Sequence, residues 1–369
     1  MRLHRRSLLA ALAALPVAAA ARADDSAAET ALDAVFSAVG PPALAGGIVT
    51  REGLVWSGVR GVRRLGAPDR ATLEDRWHLG SNTKAMTAAT WARLVEAGLT
   101  DWGRPLTDVF PEIAADPAWT GVTLETVMAH RSGLRDDDVL PRGVRVAARD
   151  DARPLIEQRL DRVRAALSAP PGGTAGAYAY ANINFVLAGA VIERLTGTPW
   201  ETAIADRLFR PLGVTEFGFG APTGDQPWGH QLSDGVSTPL DPALKPDNPP
   251  LMGPAGTVNI RLSDYARFLR MFLTEGGGVL RPDTLARLST PPPGPGRPYG
   301  FGWLVAPDLP WARGPVLMHE GSNTLWHAVT MVDPAGGVAF FALSNDDSRG
   351  GPATQQLVRR LIADRTAAG

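Results

Sequence analysis

The residues most able to do chemistry lie in one short segment, Ser81-Asn82-Thr83-Lys84. A serine hydroxyl is a weak nucleophile until a neighbouring base takes its proton. Lys84 follows Ser81 by three residues, so on a helix both side chains lie on one face and can touch. Burial lowers the pKa of a lysine towards the range in which its amine acts as a base. The segment therefore predicts a serine nucleophile with a lysine base beside it.

The pattern His-x-Gly-Ser-Asn-Thr occurs twice in the chain, which raises the question of which serine reacts. The first copy begins at His78 and is followed by Lys84, whereas the second begins at His319 and is followed by Leu325. A serine without a neighbouring base is a poor nucleophile. The difference favours the serine of the first copy.

Two further segments carry polar groups that could face a cleft. Tyr180-Ala181-Asn182 directly precedes an apolar stretch that predicts a helix over residues 183–195. His319-Glu320-Gly321 ends a run typical of a strand, where a glycine lets a substrate lie close to the backbone. Taken alone, the first segment is better explained by a buried tyrosine with a capping asparagine, and the second by a turn. Their value lies in occurring together with the serine–lysine pair.

Composition excludes several classes of protein. The chain has 369 residues and a formal net charge of -1, which gives no indication of a nucleic-acid partner. It contains no cysteine, so disulfides, thiolate zinc sites and cysteine nucleophiles are excluded. The histidines lack the spacing of metal ligands, and residues 136–138, three aspartates, are expected to form a solvated loop. These residues therefore predict no metal site.

The first residues are typical of an export signal rather than of a folded domain. Arg5 and Arg6 precede a short apolar run that ends at Ala21-Arg22-Ala23. The paired arginines also fit a twin-arginine signal, and a general secretory signal is the alternative. We therefore expect a signal peptide over residues 1–23, a hydrolase domain over residues 24–369, no membrane span in the mature chain, and a periplasmic or secreted location.

The elements that must position these residues follow a strand–helix–strand order. Periodicity predicts helices over residues 26–39, 81–97, 147–167, 184–195, 263–273 (capped by Ser263) and 355–366, and strands over residues 44–50, 54–60, 300–305, 316–319, 326–332 and 338–344. Residues 222–254 are rich in proline and glycine and predict a long surface excursion. If the two strand groups form one sheet, a mostly helical lobe, roughly residues 98–250, is inserted between them. A cleft between lobe and sheet would then hold the site.

The motifs in this order resemble the serine β-lactamase and penicillin-recognising enzymes, most closely the group of class C β-lactamases, D-alanyl-D-alanine carboxypeptidases and related esterases. The resemblance spans roughly residues 30–345 and includes further segments, namely residues 77–84, 128–134, 171–185, 256–257, 263–264 and 299–303. It implies an α/β (α+β) fold, with an antiparallel β-sheet flanked by helices and an inserted helical lobe. This agrees with the predicted order of elements.

The resemblance also implies a role for each site residue. Ser81 would attack a carbonyl carbon and form an acyl-enzyme, which water then hydrolyses. This chemistry would need neither a metal nor an organic cofactor. Lys84 and Tyr180 would share the work of general base, and which of them takes the proton is left open. The remaining roles are an oxyanion hole formed by the backbone N–H groups of Ser81 and Ser322, contact with the substrate amide by Asn182, close approach of substrate at Gly321, and orientation of Tyr180 by His319.

The third motif departs from the family pattern. Many members have lysine where this chain has His319, and those that bind a substrate carboxylate have a small hydroxyl residue where it has Glu320. If Glu320 faces the cleft, it repels such a carboxylate by about 1 kcal/mol or more. That would favour an ester, an amide or a peptide with a free amino group as substrate. If Glu320 points away, the argument does not hold.

The most specific function that these observations predict is an exported serine hydrolase that acts on a small-molecule or peptide substrate. A true β-lactamase or a D-alanyl-D-alanine carboxypeptidase is the first alternative. A catalytically silent penicillin-binding-like protein is the second, although such a protein has no need of Ser81, Lys84 and Tyr180 together. The oligomeric state cannot be predicted from these patterns.

Overall fold

The computed structural model describes residues 11–368, and it describes side chains from residue 25 to residue 367. The helices are α1 Ala11–Val39, α2 Thr83–Glu96, α3 Leu106–Val109, α4 Leu124–Met128, α5 Asp136–Val139, α6 Arg142–Ala147, α7 Leu155–Leu167, α8 Ile183–Thr196, α9 Trp200–Ile204, α10 Arg210–Leu212, α11 Gly253–Gly256, α12 Leu262–Leu273, α13 Pro282–Ser289 and α14 Gly350–Ala368. The strands are β1 Ala43–Thr50, β2 Leu54–Gly61, β3 Arg76–His78, β4 Phe217–Phe219, β5 His230–Ser233, β6 Val236–Pro239, β7 Val258–Arg261, β8 Leu304–Ala306, β9 Val316–Ser322, β10 His327–Asp333 and β11 Val338–Ser344.

A six-stranded antiparallel sheet organises the molecule, with strand order β2-β1-β11-β10-β9-β8. Leu44 of β1 lies opposite Ser344 of β11, so the first hairpin joins the C-terminal strands. Every residue of β1 is buried, because helices cover both faces of the sheet. The predicted antiparallel sheet flanked by helices is confirmed.

The two faces of the sheet bury separate apolar clusters. Helices α1 and α14 pack on one face, where Leu32, Trp56, Phe340 and Leu357 belong to one buried cluster. On the other face, α12 places Tyr265 against the sheet, and the Tyr265 hydroxyl lies 2.7 Å from the Thr330 hydroxyl of β10. Successive residues of a strand point to opposite faces of the sheet. Side chains of β9 therefore point alternately towards α1 and α14 and towards the α12 side.

Helices α3 to α10 form a mostly helical region between α2 and the second strand group. A small sheet, β3-β7-β4, and the hairpin β5-β6 connect this region to the main sheet. Helix α8 packs against α2, α4 and α7, and its first twelve residues are dominated by buried apolar side chains. The region therefore presents the start of α8, and the residues just before it, towards the start of α2.

Several predicted elements are wrong in detail, each for a local reason. The helix predicted over residues 147–167 begins only at Leu155, as α7, and residues 148–154 are not helical, because Pro154 disfavours helical geometry in the residue before it. Residues 222–254 are not simply a surface excursion, since they contain β5 and β6 and bury Asp247 and Leu251. Ser263 does not cap α12, which begins one residue earlier with Arg261 at its N-cap.

The export signal predicted over residues 1–23 lies outside the residues whose side chains the structure describes. Residues 1–10 are not among the described residues, and no side chain is described before residue 25. The signal and the domain boundaries, residues 24–369 with a lobe over roughly 98–250, therefore stay predictions. Among the described helices, none is long and apolar enough to cross a membrane.

Candidate active site

Ser81 lies in a single helical turn, Gly80–Asn82, between strand β3 and helix α2. Gly80 has a φ of +51°, a conformation that glycine adopts without a steric penalty. The turn leaves Ser81 half-buried at the N-terminal end of α2. Its side chain therefore stands where unpaired backbone N–H groups and the helix dipole favour negative charge.

Lys84 contacts Ser81 directly, as their spacing predicts. Its Nζ lies 3.0 Å from the Ser81 Oγ, 2.9 Å from the Asn182 Oδ1 and 2.6 Å from the Ala255 carbonyl oxygen. The lysine side chain is completely buried. A charged ammonium has three N–H donors, and these three partners accept one each.

Asp136 fixes the orientation of the Asn182 amide. Its carboxylate accepts hydrogen bonds from the Asn182 Nδ2 at 2.9 Å and from the Ile183 backbone N–H at 2.8 Å. The Asn182 Oδ1 must therefore face Lys84, for which it can only be an acceptor. The solvated loop predicted over residues 136–138 is wrong at Asp136, which is half-buried at the site. Asn182, predicted to bind the substrate amide, lies between Lys84 and Asp136.

The environment of Lys84 weakens its hold on a proton. Burial lowers the pKa of Lys84 from its ordinary 10.5 to about 7, although the nearby Asp136 carboxylate acts in the opposite direction. Near neutral pH a large fraction of the side chain is therefore the neutral amine. When the ammonium loses one proton, the two remaining N–H groups stay on Asn182 and Ala255, both acceptors only. The lone pair then faces the Ser81 hydroxyl.

Tyr180 also contacts Ser81, and its ring lies beside Lys84, with the Lys84 Nζ 4.9 Å from the ring centroid. Its hydroxyl donates a hydrogen bond of 2.8 Å to the Ser81 Oγ. The side chain is 43% exposed, but its hydroxyl end lies inside the cleft, and burial raises the pKa of Tyr180 above its ordinary value. The buried His130 packs against the Tyr180 ring, with 4.5 Å between ring centroids. Tyr180 is therefore a neutral phenol that donates a proton, not a phenolate.

His319 is a neutral imidazole rather than a cation. Its Nδ1 lies 2.7 Å from the Glu320 carbonyl oxygen, which can only accept, so Nδ1 carries the proton. The Nε2 then accepts a 2.8 Å hydrogen bond from the Tyr299 hydroxyl. Burial lowers the pKa of His319 to about 3. Both ring nitrogens of His319 thus have partners other than Tyr180, and the two rings pack with 6.3 Å between their centroids. The expected help of His319 in orienting or polarising Tyr180 stays a prediction.

Gly321 brings strand β9 against the turn that carries Ser81. A Cβ atom at Gly321 would lie 2.1 Å from the Leu79 carbonyl oxygen and 2.7 Å from the Ser81 nitrogen. A Cβ atom at Gly80 would lie 2.7 Å from the Ser322 nitrogen. The approach is possible because Gly80 and Gly321 have no side chains. It brings the backbone nitrogens of Ser81 and Ser322 close together. Two N–H groups close to a nucleophile are the usual components of an oxyanion hole.

The Glu320 carboxylate contacts helix α14, although the residue also lines part of the cavity beside Tyr180 and His319. The Gln355 amide of α14 donates to both Glu320 carboxylate oxygens, at 3.2 Å each. The strand register agrees, because Glu320 lies opposite Val329, a member of the cluster under α1 and α14. The neighbouring His319 lies opposite Thr330, on the Tyr265 side of the sheet. Repulsion of a substrate by the Glu320 carboxylate is therefore not supported.

A cavity of about 520 Å³ opens beside Tyr180 and His319. Its lining is largely aromatic and apolar and consists of Tyr178, Tyr180, Arg297, Tyr299, Leu304, Met318, His319 and Glu320. Motif spacing indicated the segment that contains Tyr299 but gave no role to it. Arg297 followed from no pattern, since it lies in a loop that approaches the site only in the folded chain.

The loop that carries Arg297 is held by a buried arginine. Arg131 donates from Nη1 to the Gly176 and Pro295 carbonyl oxygens at 2.8 and 2.9 Å, and from Nη2 to the Gly294 carbonyl oxygen at 3.3 Å. These bonds tie the Arg297 loop to the segment leading into Tyr178. The guanidinium of Arg297 is exposed and has no ion-pair partner among the described residues. It is the only cationic side chain in the cavity lining as described.

Two tryptophans near the site and the possible metal ligands were also considered from the sequence. Trp303 and Trp326 are buried, as expected for core residues. Within the described part of the chain, no group of three or more histidine, cysteine, aspartate or glutamate side chains could hold a metal ion.

A family model described as beta-lactamase matches residues 32–365. Penicillin-binding protein 4 from Amycolatopsis lactamdurans is 27% identical over 327 residues, which cover 82% of this chain and 81% of that protein. Esterase EstB from Burkholderia gladioli is 29% identical over 368 residues, covering 88% of this chain and 92% of that esterase. The solved beta-lactamase from Sulfitobacter sp. EE-36 shares the fold, with a TM-score of 0.75 at 19% identity over 95% of this chain and 99% of that one. Because the family model spans nearly all of the described residues, the chain belongs to the beta-lactamase family of serine hydrolases and penicillin-binding-like proteins.

Proposed function

We propose that the protein is a serine hydrolase that forms an acyl-enzyme on Ser81. The observation that carries this proposal is the contact between the Lys84 Nζ and the Ser81 Oγ, at 3.0 Å. The other two partners of Lys84 are acceptors only. Once the amine is neutral, Ser81 is the one partner that can donate a proton to it. A catalytically silent protein would not need this arrangement.

Lys84 is the general base in this proposal, and Tyr180 is the proton donor. The pKa of about 7 lets Lys84 take the Ser81 proton near neutral pH as the oxygen attacks the substrate carbonyl carbon. The raised pKa of Tyr180 keeps its hydroxyl protonated. From its position beside the Ser81 Oγ, Tyr180 can pass its proton to the leaving group and recover one from Lys84. Water then hydrolyses the acyl-enzyme by the reverse route.

The backbone N–H groups of Ser81 and Ser322 stabilise the tetrahedral intermediate. Their proximity, which depends on Gly80 and Gly321, supports this assignment. Strand β8 pairs with β9 only as far as Met318, so among the described residues the His319–Ser322 edge of β9 has a neighbour on one side. An extended substrate can lie along that edge, with Gly321 allowing its close approach.

The substrate is an ester, an amide or a peptide whose apolar part fills the tyrosine-lined cavity. The relatives named as an esterase and as a penicillin-binding protein support this range of carbonyl substrates. The orientation of Glu320 removes the objection to an anionic substrate, and Arg297 offers a positive charge at the cavity. Arg297 therefore favours a second candidate function, hydrolysis of a carboxylate-bearing β-lactam or D-alanyl-D-alanine peptide. Export to the periplasm or the medium remains part of the proposal.

The deciding experiment is turnover of p-nitrophenyl butyrate, a small neutral ester, by the wild type and by Ser81→Ala. We expect release of p-nitrophenol by the wild type alone. Intact-protein mass spectrometry of the rapidly quenched wild type should show one added butyryl group, which proteolysis should place on Ser81. Equal rates in the two proteins, or no turnover by either, would overturn the proposal.

A further inference from the structure

A buried chain of hydrogen bonds connects the two segments that share the pattern His-x-Gly-Ser-Asn-Thr. The His78 Nε2 lies 2.9 Å from the Asp247 Oδ2, and the Asn323 amide donates to the Asp247 Oδ1. The histidine of the first copy and the asparagine of the second copy thus share one carboxylate. His78 is 1% exposed and Asp247 is 5% exposed, so water competes little for these bonds.

The His78 end of this chain holds the backbone next to the nucleophile. The Gly80 N–H donates to the His78 Nδ1 at 3.1 Å. A backbone N–H can only donate, so Nδ1 is unprotonated and the proton is on Nε2, directed at Asp247. The His78 ring also stacks on Trp326, with 5.1 Å between ring centroids. His78 thereby fixes the residue whose peptide bond supplies the Ser81 N–H.

The Asn323 end holds the backbone next to the second N–H group. The Asn323 Oδ1 accepts from the Leu325 and Trp326 N–H groups at 3.2 Å each, which closes a tight turn directly after Ser322. Thr324 in this turn has a φ of +76°, which a threonine rarely adopts without support. The asparagine side chain therefore holds the turn that directly follows Ser322.

Asp247 itself is held in place from its other side. The Asn248 N–H donates to its Oδ1 at 2.6 Å, and Arg149 donates to its carbonyl oxygen at 3.1 and 3.2 Å. A fixed carboxylate that joins two segments distant in sequence can position them relative to each other. It limits the relative movement of the two backbone N–H groups, which lie on different elements.

We propose that Asp247, acting through His78 and Asn323, is a positioning residue that sets the distance between the two N–H donors of the oxyanion hole. The inference rests on the proposed function. A positioning role of Asp247 differs from a purely structural role in one measurable respect. Loss of Asp247 should weaken binding of the tetrahedral state more than binding of the substrate.

The test is Asp247→Asn. An asparagine presents an amide N–H to one of two donors, His78 or Asn323, whichever way it turns. The alternative tautomer of His78 gives no relief, because its Nδ1–H would then face the Gly80 N–H. For p-nitrophenyl butyrate we expect kcat to fall about 10- to 100-fold, less than loss of a whole oxyanion donor, while KM changes less than about threefold.

Phenylboronic acid adds a readout that a structural role would not move. Its boron accepts an electron pair from the Ser81 Oγ, whose proton passes to Lys84, and becomes a tetrahedral anion in the position of the intermediate. Its inhibition constant should rise in Asp247→Asn by about the factor that kcat/KM loses. A proportional rise in KM, or an unchanged boronic acid affinity, would overturn the inference.

Asp264→Asn is the matched control. Asp264 is also a buried carboxylate, 1% exposed, that accepts from backbone N–H groups, those of Thr215 and Glu216. It lies on α12 and, unlike Asp247, also pairs with two arginines, Arg261 and Arg267. All variants are assayed at a temperature below their melting transitions. If Asp264→Asn lowers kcat as much as Asp247→Asn does, general destabilisation explains the effect and the inference fails.

Asn323→Ala serves if Asp247→Asn does not fold, since Asn323 is only half-buried. The same separation of kcat from KM is expected, and its absence would again overturn the inference. A wild type without turnover dependent on Ser81 would instead refute the proposed function, so the two failures are distinguishable.

Discussion

The two copies of His-x-Gly-Ser-Asn-Thr have the same residues and opposite uses. In the first copy the chain leaves a strand and enters helix α2, so the Ser81 side chain meets Lys84 and Tyr180. In the second copy the chain is the end of strand β9, and the Ser322 hydroxyl only accepts a 2.9 Å bond from the Thr324 N–H. The element that follows the pattern, and not the pattern itself, decides which serine has a base.

The two histidines of these copies are opposite tautomers. His78 accepts a backbone N–H at Nδ1 and donates from Nε2, whereas His319 donates from Nδ1 to a backbone carbonyl and accepts at Nε2. Each tautomer follows from whether the nearest backbone group is a donor or an acceptor. The two histidines thus bind opposite kinds of backbone group. A turn follows His78 and offers it an N–H donor, whereas β9 continues past His319 and offers it a carbonyl acceptor.

The largest effect is expected at the residue that distinguishes the copies. Lys84→Met should lower kcat/KM for p-nitrophenyl butyrate by about 10³-fold or more, because the base is removed while the buried volume is largely kept. Leu325→Met, at the matching position of the second copy, should stay within about threefold of the wild type. Comparable losses in the two variants would contradict the assignment of Lys84 as the base.

Close approach of the two copies should give the next largest effect. Gly321→Ala places a Cβ atom against the Leu79 carbonyl oxygen and the Ser81 nitrogen, so β9 must move away. We expect kcat/KM to fall about 10²-fold, by loss of one backbone donor of the oxyanion hole.

Gly143→Ala is the control for that variant, because an added Cβ meets nothing within 4 Å there and its φ is not positive. Its kinetics should match the wild type. A Gly321→Ala protein with wild-type kcat/KM would show that the approach of the two backbones does not matter for catalysis.

The pH dependence of kcat/KM distinguishes Lys84 from His319. Deprotonation of Lys84 creates the base, so kcat/KM should rise about tenfold per pH unit up to about pH 7 and then level off. The pKa of His319, lowered to about 3, places its titration far below this range. His319→Gln should therefore keep the rise near pH 7, whatever its absolute rate. Disappearance of that rise in His319→Gln would assign it to the histidine instead.

The smallest effects are expected for two charged side chains, Arg297 at the cavity and Glu320 beside α14. Arg297→Gln should raise KM for the mono-p-nitrophenyl ester of glutarate, which carries a carboxylate, about two- to fivefold, as expected for an exposed ion pair. KM for the neutral butyrate ester should not change. Glu320→Gln should affect neither substrate by more than about twofold, because its side chain faces α14. An improved KM for the glutarate ester in Glu320→Gln would show that this carboxylate does act in the cleft.

Local spacing predicted the parts of the site that are close in sequence. Ser81 and Lys84 follow from helical geometry, and Asn182 directly precedes α8 as expected. The side-chain alternation of a strand could also have placed His319 and Glu320 on opposite faces, had the register been known.

Residues that act across long sequence separations could not be predicted in this way. Asp136 looked like one of three solvated acids, yet it determines the orientation of Asn182. Asp247 lay in a segment whose proline and glycine content indicated an exposed loop, and it is buried between His78 and Asn323. Composition reports the local preference of a segment, whereas these contacts depend on how distant segments pack.

The strand order of the main sheet has a consequence for how the protein acquires activity. Strand β1, from the first fifty residues, lies inside the sheet between β2 and the last strand, β11, and pairs with both. Such distant pairings form slowly because a long loop of chain must close before they contribute any stability. Ser81 meets Ser322 and His319 only after β9 has joined that sheet. During refolding, enzyme activity should therefore return last, after the far-ultraviolet circular dichroism signal of the helices has recovered. Recovery of activity would then report that the main sheet is complete.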